Sequence, residues 1–160
     1  MDKLLQLMSE NAKFTTEQLA LILNEPEDYI EAQIKEYENQ GVIKGYQAMI
    51  NWDKVPDSGV MAIIELKVAP KKQRGFDDMA ERLMMFDEVS SVYLMAGSYD
   101  LALIVKGNSI QDISSFVARK LSALEGINAT ATHFMLKRYK EGGTVLVDVE
   151  KQEDRRELVL

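Results

Sequence analysis

LALILNEPEDYIEAQIKEYENQGVIKGY, residues 19–46, decides how the first third of this 160-residue chain folds. Two helical patterns are separated by a short break at Asn24, and Pro26 opens the second. Proline suits the first helical position because the amide of any residue there would be unpaired. Gly41 is expected to end the second helix, and a β-prone segment follows. This spacing predicts a winged helix-turn-helix, an architecture found in DNA-binding proteins.

The charge of the second helix opposes DNA binding. In a helix-turn-helix protein the second helix lies in the major groove, yet here one lysine, Lys35, stands among five acidic residues: Glu27, Asp28, Glu31, Glu36 and Glu38. Residues 1–50 hold four lysines, no arginine and nine acidic residues, whereas residues 51–160 hold fifteen basic and seventeen acidic residues. Because nonspecific affinity for DNA comes from neutralising phosphates, the sequence predicts weak binding.

The composition excludes several classes of protein. Hydrophobic residues make up 46% and charged residues 28%, as in ordinary globular proteins. No apolar run approaches the ~20 residues of a membrane span, and the N-terminus is too short and acidic for a signal peptide, so a cytoplasmic protein is expected. The chain has no cysteine, and His133 has no neighbours at ligand spacing, so we predict neither a metal site nor a cofactor.

The segments beside the opening stretch support a first domain over residues 1–50. Thr15 is predicted to cap the first helix of the motif, with Gln18 completing a capping box. The second helix has an apolar stripe at helical spacing, made by Ile30, Ile34 and Tyr37. A strand is predicted at 42–50, and residues 51–59, which contain Pro56, form a linker.

The pattern changes after the linker. Strands are predicted at 60–68, 89–95, 99–105 and 127–138, with a helix after the first strand and another after the third. This βαββαβ order predicts a ferredoxin-like domain over residues 60–149, with a short extra strand at 144–149 and a charged tail at 150–160. The first strand is apolar on both faces, so we expect a partner subunit to cover the face without helices.

A helix-turn-helix followed by a βαββαβ domain, at this length, resembles the Lrp/AsnC family of transcriptional regulators. The segments that match best are Leu19-Ala20, the run from Gly41 to Tyr46, the turn from Gly97 to Asp100, and Thr130-Ala131-Thr132. The resemblance covers nearly the whole chain and identifies the fold class as α+β. It implies a DNA-binding regulator that forms homodimers, often assembled into octamers, and that responds to a small effector, usually an amino acid.

The resemblance also implies an effector site between sensor domains of neighbouring dimers. The residues assigned to it are Gly97, Ser98, Tyr99, Asp100, Thr130 and Thr132. Gly97 would allow close approach of a carboxylate to backbone amides, and the Asp100 carboxylate could meet an ammonium. The alternative is a hairpin turn whose aspartate caps backbone amides without any ligand.

The same resemblance places DNA contacts on the helix-turn-helix. The candidates are Thr15, Thr16, Glu27, Asp28, Tyr29, Glu31, Lys35 and Lys44. The chain departs from the family here, because Pro26 replaces the usual polar helix start and Glu31, Ala32 and Gln33 replace a run rich in arginine. A carboxylate can accept from cytosine N4, but without arginine support it repels phosphate.

Two other functions are open at this point. The chain could be a ligand-sensing assembly module whose degenerate helix-turn-helix contacts protein rather than DNA. Some proteins similar to the family are decarboxylases of haem precursors, which use His and Arg side chains around an acidic tetrapyrrole. The chain has one histidine and few arginines, and we find no phosphate-binding loop or nucleophile motif, so we do not expect an enzyme.

Overall fold

The computed structural model describes residues 2–69 and 75–148, which fall into two compact units. The first unit takes in the described part of Met1–Ile50 and Lys140–Leu160, and the second, called the sensor unit below, is Asn51–Tyr139. Each unit has its own hydrophobic core. The predicted tail at 150–160 lies outside the described residues. Among the described residues, no helix combines the length and apolar character needed to span a membrane.

Three helices build the first unit, and their ends follow the capping signals in the sequence. They are α1 (Lys3–Glu10), α2 (Thr16–Leu23) and α3 (Glu27–Asn39). The Thr15 hydroxyl accepts from the Gln18 amide at 3.2 Å, and the Gln18 side chain accepts from the Thr15 amide at 3.0 Å, so the predicted capping box is confirmed. Asn24 ends α2 in the left-handed conformation at φ 55°.

The start of α3 differs from the prediction by one residue. Pro26 is the N-cap rather than the first helical residue, and no side chain caps the helix. Glu27 and Asp28 lie in the first turn, where their negative charges are favourable beside the unpaired amides of the helix start. These two acidic residues therefore have a structural role. Gly41, at φ 69°, ends the helix as predicted.

The strand predicted at 42–50 is wrong, because these residues carry no strand in the structure. A β segment needs a partner to bond its backbone groups. Among the described residues of the first unit, the paired strands are instead β5 (Lys140–Glu141) and β6 (Thr144–Val145). The strand predicted at 144–149 is thus shorter than expected, and its last residue lies outside the described part.

The core of the first unit is small. Its buried side chains are Leu4, Leu19 and Ile30, one from each helix. Ile34 and Tyr37 pack beside them as half-buried residues, which confirms the predicted apolar stripe of α3. A core of this size leaves the unit sensitive to the loss of one buried side chain.

The sensor unit has the predicted ferredoxin-like order. Its elements are β1 (Val60–Val68), α4 (Asp77–Met84), β2 (Val89–Leu94), β3 (Leu101–Gly107), α5 (Ile110–Phe116), which continues as a π-helical turn (Val117–Leu121), and β4 (Ile127–Phe134). The four strands form an antiparallel sheet in the order β2-β3-β1-β4. The strand β3 begins two residues later than predicted because residues 96–100 form a bend. The predicted α+β fold class is confirmed.

The two faces of the sheet differ in burial. Ala62, Ile64, Leu66 and Val68 of β1 lie in the main core together with side chains of α4 and α5. The alternate residues of β1 point to the other face, where Ile63 is 39% exposed and Glu65 bonds His133 at 3.0 Å. The predicted apolar character of both faces is confirmed, and the face without helices is called the open face below.

Gly59 is a position where the sensor unit requires glycine. Its φ is 76°, and a Cβ there would lie 2.5 Å from the Gly107 carbonyl oxygen. We expect Gly59→Ala to lower the free energy of unfolding by roughly 1–3 kcal/mol, because it adds both backbone strain and a contact with rigid backbone. Gly97→Ala is the control, since a Cβ at Gly97 meets nothing within 4 Å. Urea unfolding followed by Trp52 fluorescence measures both variants, and equal stabilities would contradict the expectation.

Candidate functional site

The segment from Gly97 to Asp100 joins β2 to β3 at the end of the sheet where β1 finishes. Residues 96–100 form a bend rather than a two-residue turn. Space beside the Gly97 backbone is open, because a Cβ built there would meet no atom within 4 Å. The loop therefore leaves room for a small molecule to approach its backbone.

Asp100 is held by the neighbouring strand β1. Its carboxylate accepts from the Val68 amide at 2.8 Å and from the Lys67 ammonium at 3.1 Å. Its own amide donates to the Leu66 carbonyl at 2.9 Å. The Val68 amide and then the Lys67 ammonium lower the pKa of the Asp100 carboxyl below its ordinary value. The Asp100 carboxylate is therefore a fixed anion that bonds to the neighbouring strand β1 rather than to its own turn.

The two partners of this ion pair differ in exposure. The Lys67 side chain is 47% exposed and the Asp100 side chain is 19% exposed. An exposed ion pair of this kind contributes little to stability, so another cation can replace the lysine at low cost. Chemically, the arrangement offers an anchored carboxylate for an ammonium and a half-exposed ammonium for an anion.

The two threonines assigned to the same site lie on β4. Thr130 stands opposite Leu66 and Thr132 opposite Ile64, and residues paired in this way share a face of the sheet. Because Leu66 and Ile64 belong to the core, the half-buried threonines lie on the face covered by helices. Leu66 pairs with Thr130 on one side and with Leu101 on the other. Thr130 is therefore roughly 10 Å, or two strand spacings, from Leu101, the residue that follows Asp100. Thr132 is two residues farther from the loop.

Lys67 is a residue of this site that the sequence analysis missed. No motif marks it, because its role depends on the register between β1 and β3. That register pairs Leu66 with Leu101, so the next residue of β1 faces the residue that precedes β3. Aligning the two predicted strands as an antiparallel pair would have placed the opposite charges of Lys67 and Asp100 together.

The candidate DNA contacts lie on and around α2 and α3. Thr15 is the N-cap of α2, Lys44 follows α3, and the other candidates lie in the two helices: Thr16, Glu27, Asp28, Tyr29, Glu31 and Lys35. Two of them bond each other, since the Thr16 hydroxyl donates to the Glu27 carboxylate at 2.9 Å. That bond joins the starts of the two helices. Tyr29 is 50% exposed on α3.

The surface of α3 is acidic and partly apolar. Glu31 and Lys35 are exposed along it, so one cation stands among the carboxylates. On α2, Leu21 and Ile22 are 77% and 52% exposed. Exposed apolar side chains beside carboxylates suit a basic protein surface, whereas the helix-turn-helix arrangement itself suits the major groove.

Comparison with known proteins identifies relatives of both units. The family model described as the Lrp/AsnC ligand binding domain matches residues 61–145. The HTH-type transcriptional regulator YugG of Bacillus subtilis is 42% identical over 159 residues, which span 99% of this chain and 94% of that protein. An HTH-type transcriptional regulator of Pyrococcus furiosus is 34% identical over 140 residues, spanning 87% of this chain and 90% of its own length.

A solved structure supports the same fold. The transcriptional regulator NMB0573 of Neisseria meningitidis, crystallised as a complex with L-Met, superposes with a TM-score of 0.70 at 24% identity. The match covers 88% of this chain and 93% of that one. At this identity the likeness concerns the fold alone. It spans the helix-turn-helix and the sheet together.

Proposed function

The chain belongs to the Lrp/AsnC family, and from that premise we propose that it is a DNA-binding transcriptional regulator controlled by an amino acid. The observation that carries the proposal is the match of a regulator over 99% of the chain, helix-turn-helix included. In this proposal the protein acts in the cytoplasm as a homodimer, and the dimers assemble further. The amino acid alters that assembly and so repositions the helix-turn-helix units on DNA.

The effector would bind at the loop from Gly97 to Asp100. Its ammonium would replace the Lys67 ammonium at the Asp100 carboxylate, and the released lysine could then pair with the effector carboxylate. The open space beside Gly97 supports this assignment. A complex with L-Met in a structural neighbour also supports an amino acid as the ligand class. Thr130 lies on the face of the sheet that is covered by helices. It would therefore contact the effector at the edge of the site rather than next to the ion pair of Lys67 and Asp100.

The open face of the sheet is where we propose that the homodimer forms. Half-exposed apolar side chains lie there, including Ile63 and Tyr93, together with the ion pair of Glu65 and His133. A second copy would remove these apolar groups from water. Each dimer then carries two acidic helix-turn-helix units, so binding to DNA would depend on several units acting together.

The acidic α3 favours a second candidate function. In it, the helix-turn-helix contacts a basic protein surface, and the sensor unit controls assembly without DNA. Two observations support this alternative: α3 carries five carboxylates and one lysine, and Leu21 and Ile22 of α2 are exposed.

Capture of genomic DNA by the purified protein separates the two functions. Regulation predicts that some promoter fragments are enriched, and that their affinity falls as salt rises from about 50 to 200 mM. The full chain is the sample, tested with and without the twenty common amino acids. If no fragment binds at the lowest salt in either condition, the DNA-binding proposal fails and the protein-contact alternative is favoured.

The variant Glu31→Gln tests whether α3 enters the major groove. Removing a carboxylate that faces phosphates should raise affinity for random duplex by roughly twofold to tenfold at low salt. Glu10→Gln is the control, because it makes the same charge change at the exposed end of α1. Fluorescence anisotropy with a labelled duplex measures both. If both variants gain affinity equally, the effect is one of net charge and α3 is not in the groove.

A further inference from the structure

The chain connects the two units twice. It enters the sensor unit at Asn51 and leaves it after Tyr139, where it returns to the first unit. The entry connection begins with a short 3-10 helix, Trp52–Lys54, and the exit connection is the segment after β4, residues 135–138. Units joined only by short connections are expected to move relative to each other unless something holds the connections.

Asp53 and Arg138 join the entry connection to the exit connection. Arg138 donates to the Asp53 carboxylate from Nη2 at 2.7 Å, from Nε at 3.3 Å and from its backbone amide at 3.3 Å. The Arg138 side chain is 9% exposed, so this is not an ion pair of the open surface. A planar guanidinium that bonds a carboxylate through several donors fixes geometry as well as charge. We call this pair the clasp.

The clasp is anchored on the sheet. The Met135 amide donates to the Met61 carbonyl at 2.9 Å, which continues the pairing of β1 past the end of β4. Arg138 Nη1 also lies 3.8 Å from the Met61 sulfur. The exit connection is therefore held by β1, and Asp53 ties the entry connection to it.

The position of the clasp shortens both connections. Only residues 51 and 52 separate Asp53 from the first unit, and only residue 139 separates Arg138 from it. Without the clasp, the next fixed point on the entry side is Gly59, which packs against the end of β3. A longer connection gives the joined units more conformations. A pair placed at both ends of the sensor unit thus restricts the first unit in a way that an ion pair elsewhere in the sensor unit does not.

We propose that Asp53 and Arg138 are positioning residues, which hold both connections at one point of the sheet and so limit the motion of the first unit relative to the sensor unit. A change in the sensor unit then reaches the first unit through both connections together. This second step rests on the proposed function, in which binding of an amino acid repositions the helix-turn-helix.

The restriction can be measured in the full chain, which has one tryptophan and no cysteine. An acceptor dye on Glu10→Cys, at the exposed end of α1, gives the distribution of distances from Trp52 by time-resolved energy transfer. An excess of Trp52→Phe chain without the cysteine limits the signal to pairs within one chain. Asp53→Asn and Arg138→Met should each broaden the distribution. The double variant should be no broader than either single variant, because both remove the same interaction.

The two variants perturb the sensor unit differently, so the test does not depend on one of them. Asp53→Asn leaves an enclosed guanidinium beside a neutral amide, whereas Arg138→Met leaves a half-exposed carboxylate and an apolar side chain. Glu88→Gln is the matched control, because it removes one charge from the ion pair with Lys120, away from both connections. Unchanged widths in both clasp variants would overturn the proposal, and so would equal broadening in Glu88→Gln.

A second measurement tests the coupling. An amino acid that raises the melting temperature of the wild type should still do so in both clasp variants, because Asp100 bonds β1 at its other end, through Val68. The change that this amino acid causes in DNA affinity should be lost. A DNA response that survives in the clasp variants would overturn the coupling. The distance measurement needs neither DNA nor an amino acid, so it stands if the proposed function fails.

Discussion

Ile30→Ala is expected to unfold the first unit while the sensor unit stays folded. Ile30 is 1% exposed and is one of three buried residues in the core of that unit. Truncating a buried isoleucine to alanine costs roughly 2–5 kcal/mol. A unit of about 50 residues has a total stability of roughly 3–8 kcal/mol. The variant should therefore lose most or all of the stability of the helix-turn-helix, and DNA binding with it.

Two optical signals separate the units in this experiment. Trp52 lies in the sensor unit, so its fluorescence follows that unit, whereas far-ultraviolet circular dichroism follows the helices of both. In Ile30→Ala, the unfolding transition of the first unit, seen by circular dichroism, should have a lower midpoint. The midpoint of the transition seen by Trp52 fluorescence should not change. Leu21→Ala is the control, because Leu21 is 77% exposed and should tolerate the same kind of truncation. A shift of both signals together would contradict independent folding of the two units.

Asp100→Asn is expected to abolish the response of the protein to the proposed amino-acid effector. The variant keeps the shape of the side chain and removes the charge that would meet the effector ammonium. The affinity of the protein for the amino acid should therefore fall by roughly tenfold or more. The measurement is the shift in melting temperature produced by each amino acid in the wild type and the variant. Asp87→Asn, an exposed loop aspartate, is the control for charge. A shift that survives in Asp100→Asn would move the effector site elsewhere.

The same variant has a pH signature. The pKa of Asp100 is lowered in the folded protein by its bonds to the Val68 amide and the Lys67 ammonium. A carboxyl of this kind stabilises the fold above its unfolded pKa, near 4, and the stabilisation disappears as pH falls through the folded pKa. Asp100→Asn should thus melt lower than the wild type at neutral pH, and the difference should shrink below about pH 4. A difference that is constant with pH would show that the charge of Asp100 does not stabilise the fold.

Local signals in the sequence predicted the elements that depend on neighbouring residues. Thr15 and Gln18 form their capping box, Asn24 and Gly41 end helices in the left-handed conformation, and β1 has the bounds that its pattern predicted. Each of these depends on a few residues close in the chain. The strand predicted at 42–50 is absent, because a strand needs a pairing partner elsewhere in the chain, and no local pattern specifies that partner.

By itself, the sequence determined the order of the three helices of the first unit, the order of the helices and sheet strands of the sensor unit, the family, and the loop from Gly97 to Asp100 as the candidate effector site. Only the tertiary structure decided what that site contains. The register between strands pairs Asp100 with Lys67 and places Thr130 on the face covered by helices, and the fold brings Asp53 and Arg138 together. Capping and periodicity act over a few residues, whereas register joins residues more than thirty positions apart in the chain. The chemistry of the candidate effector site is therefore a property of the fold.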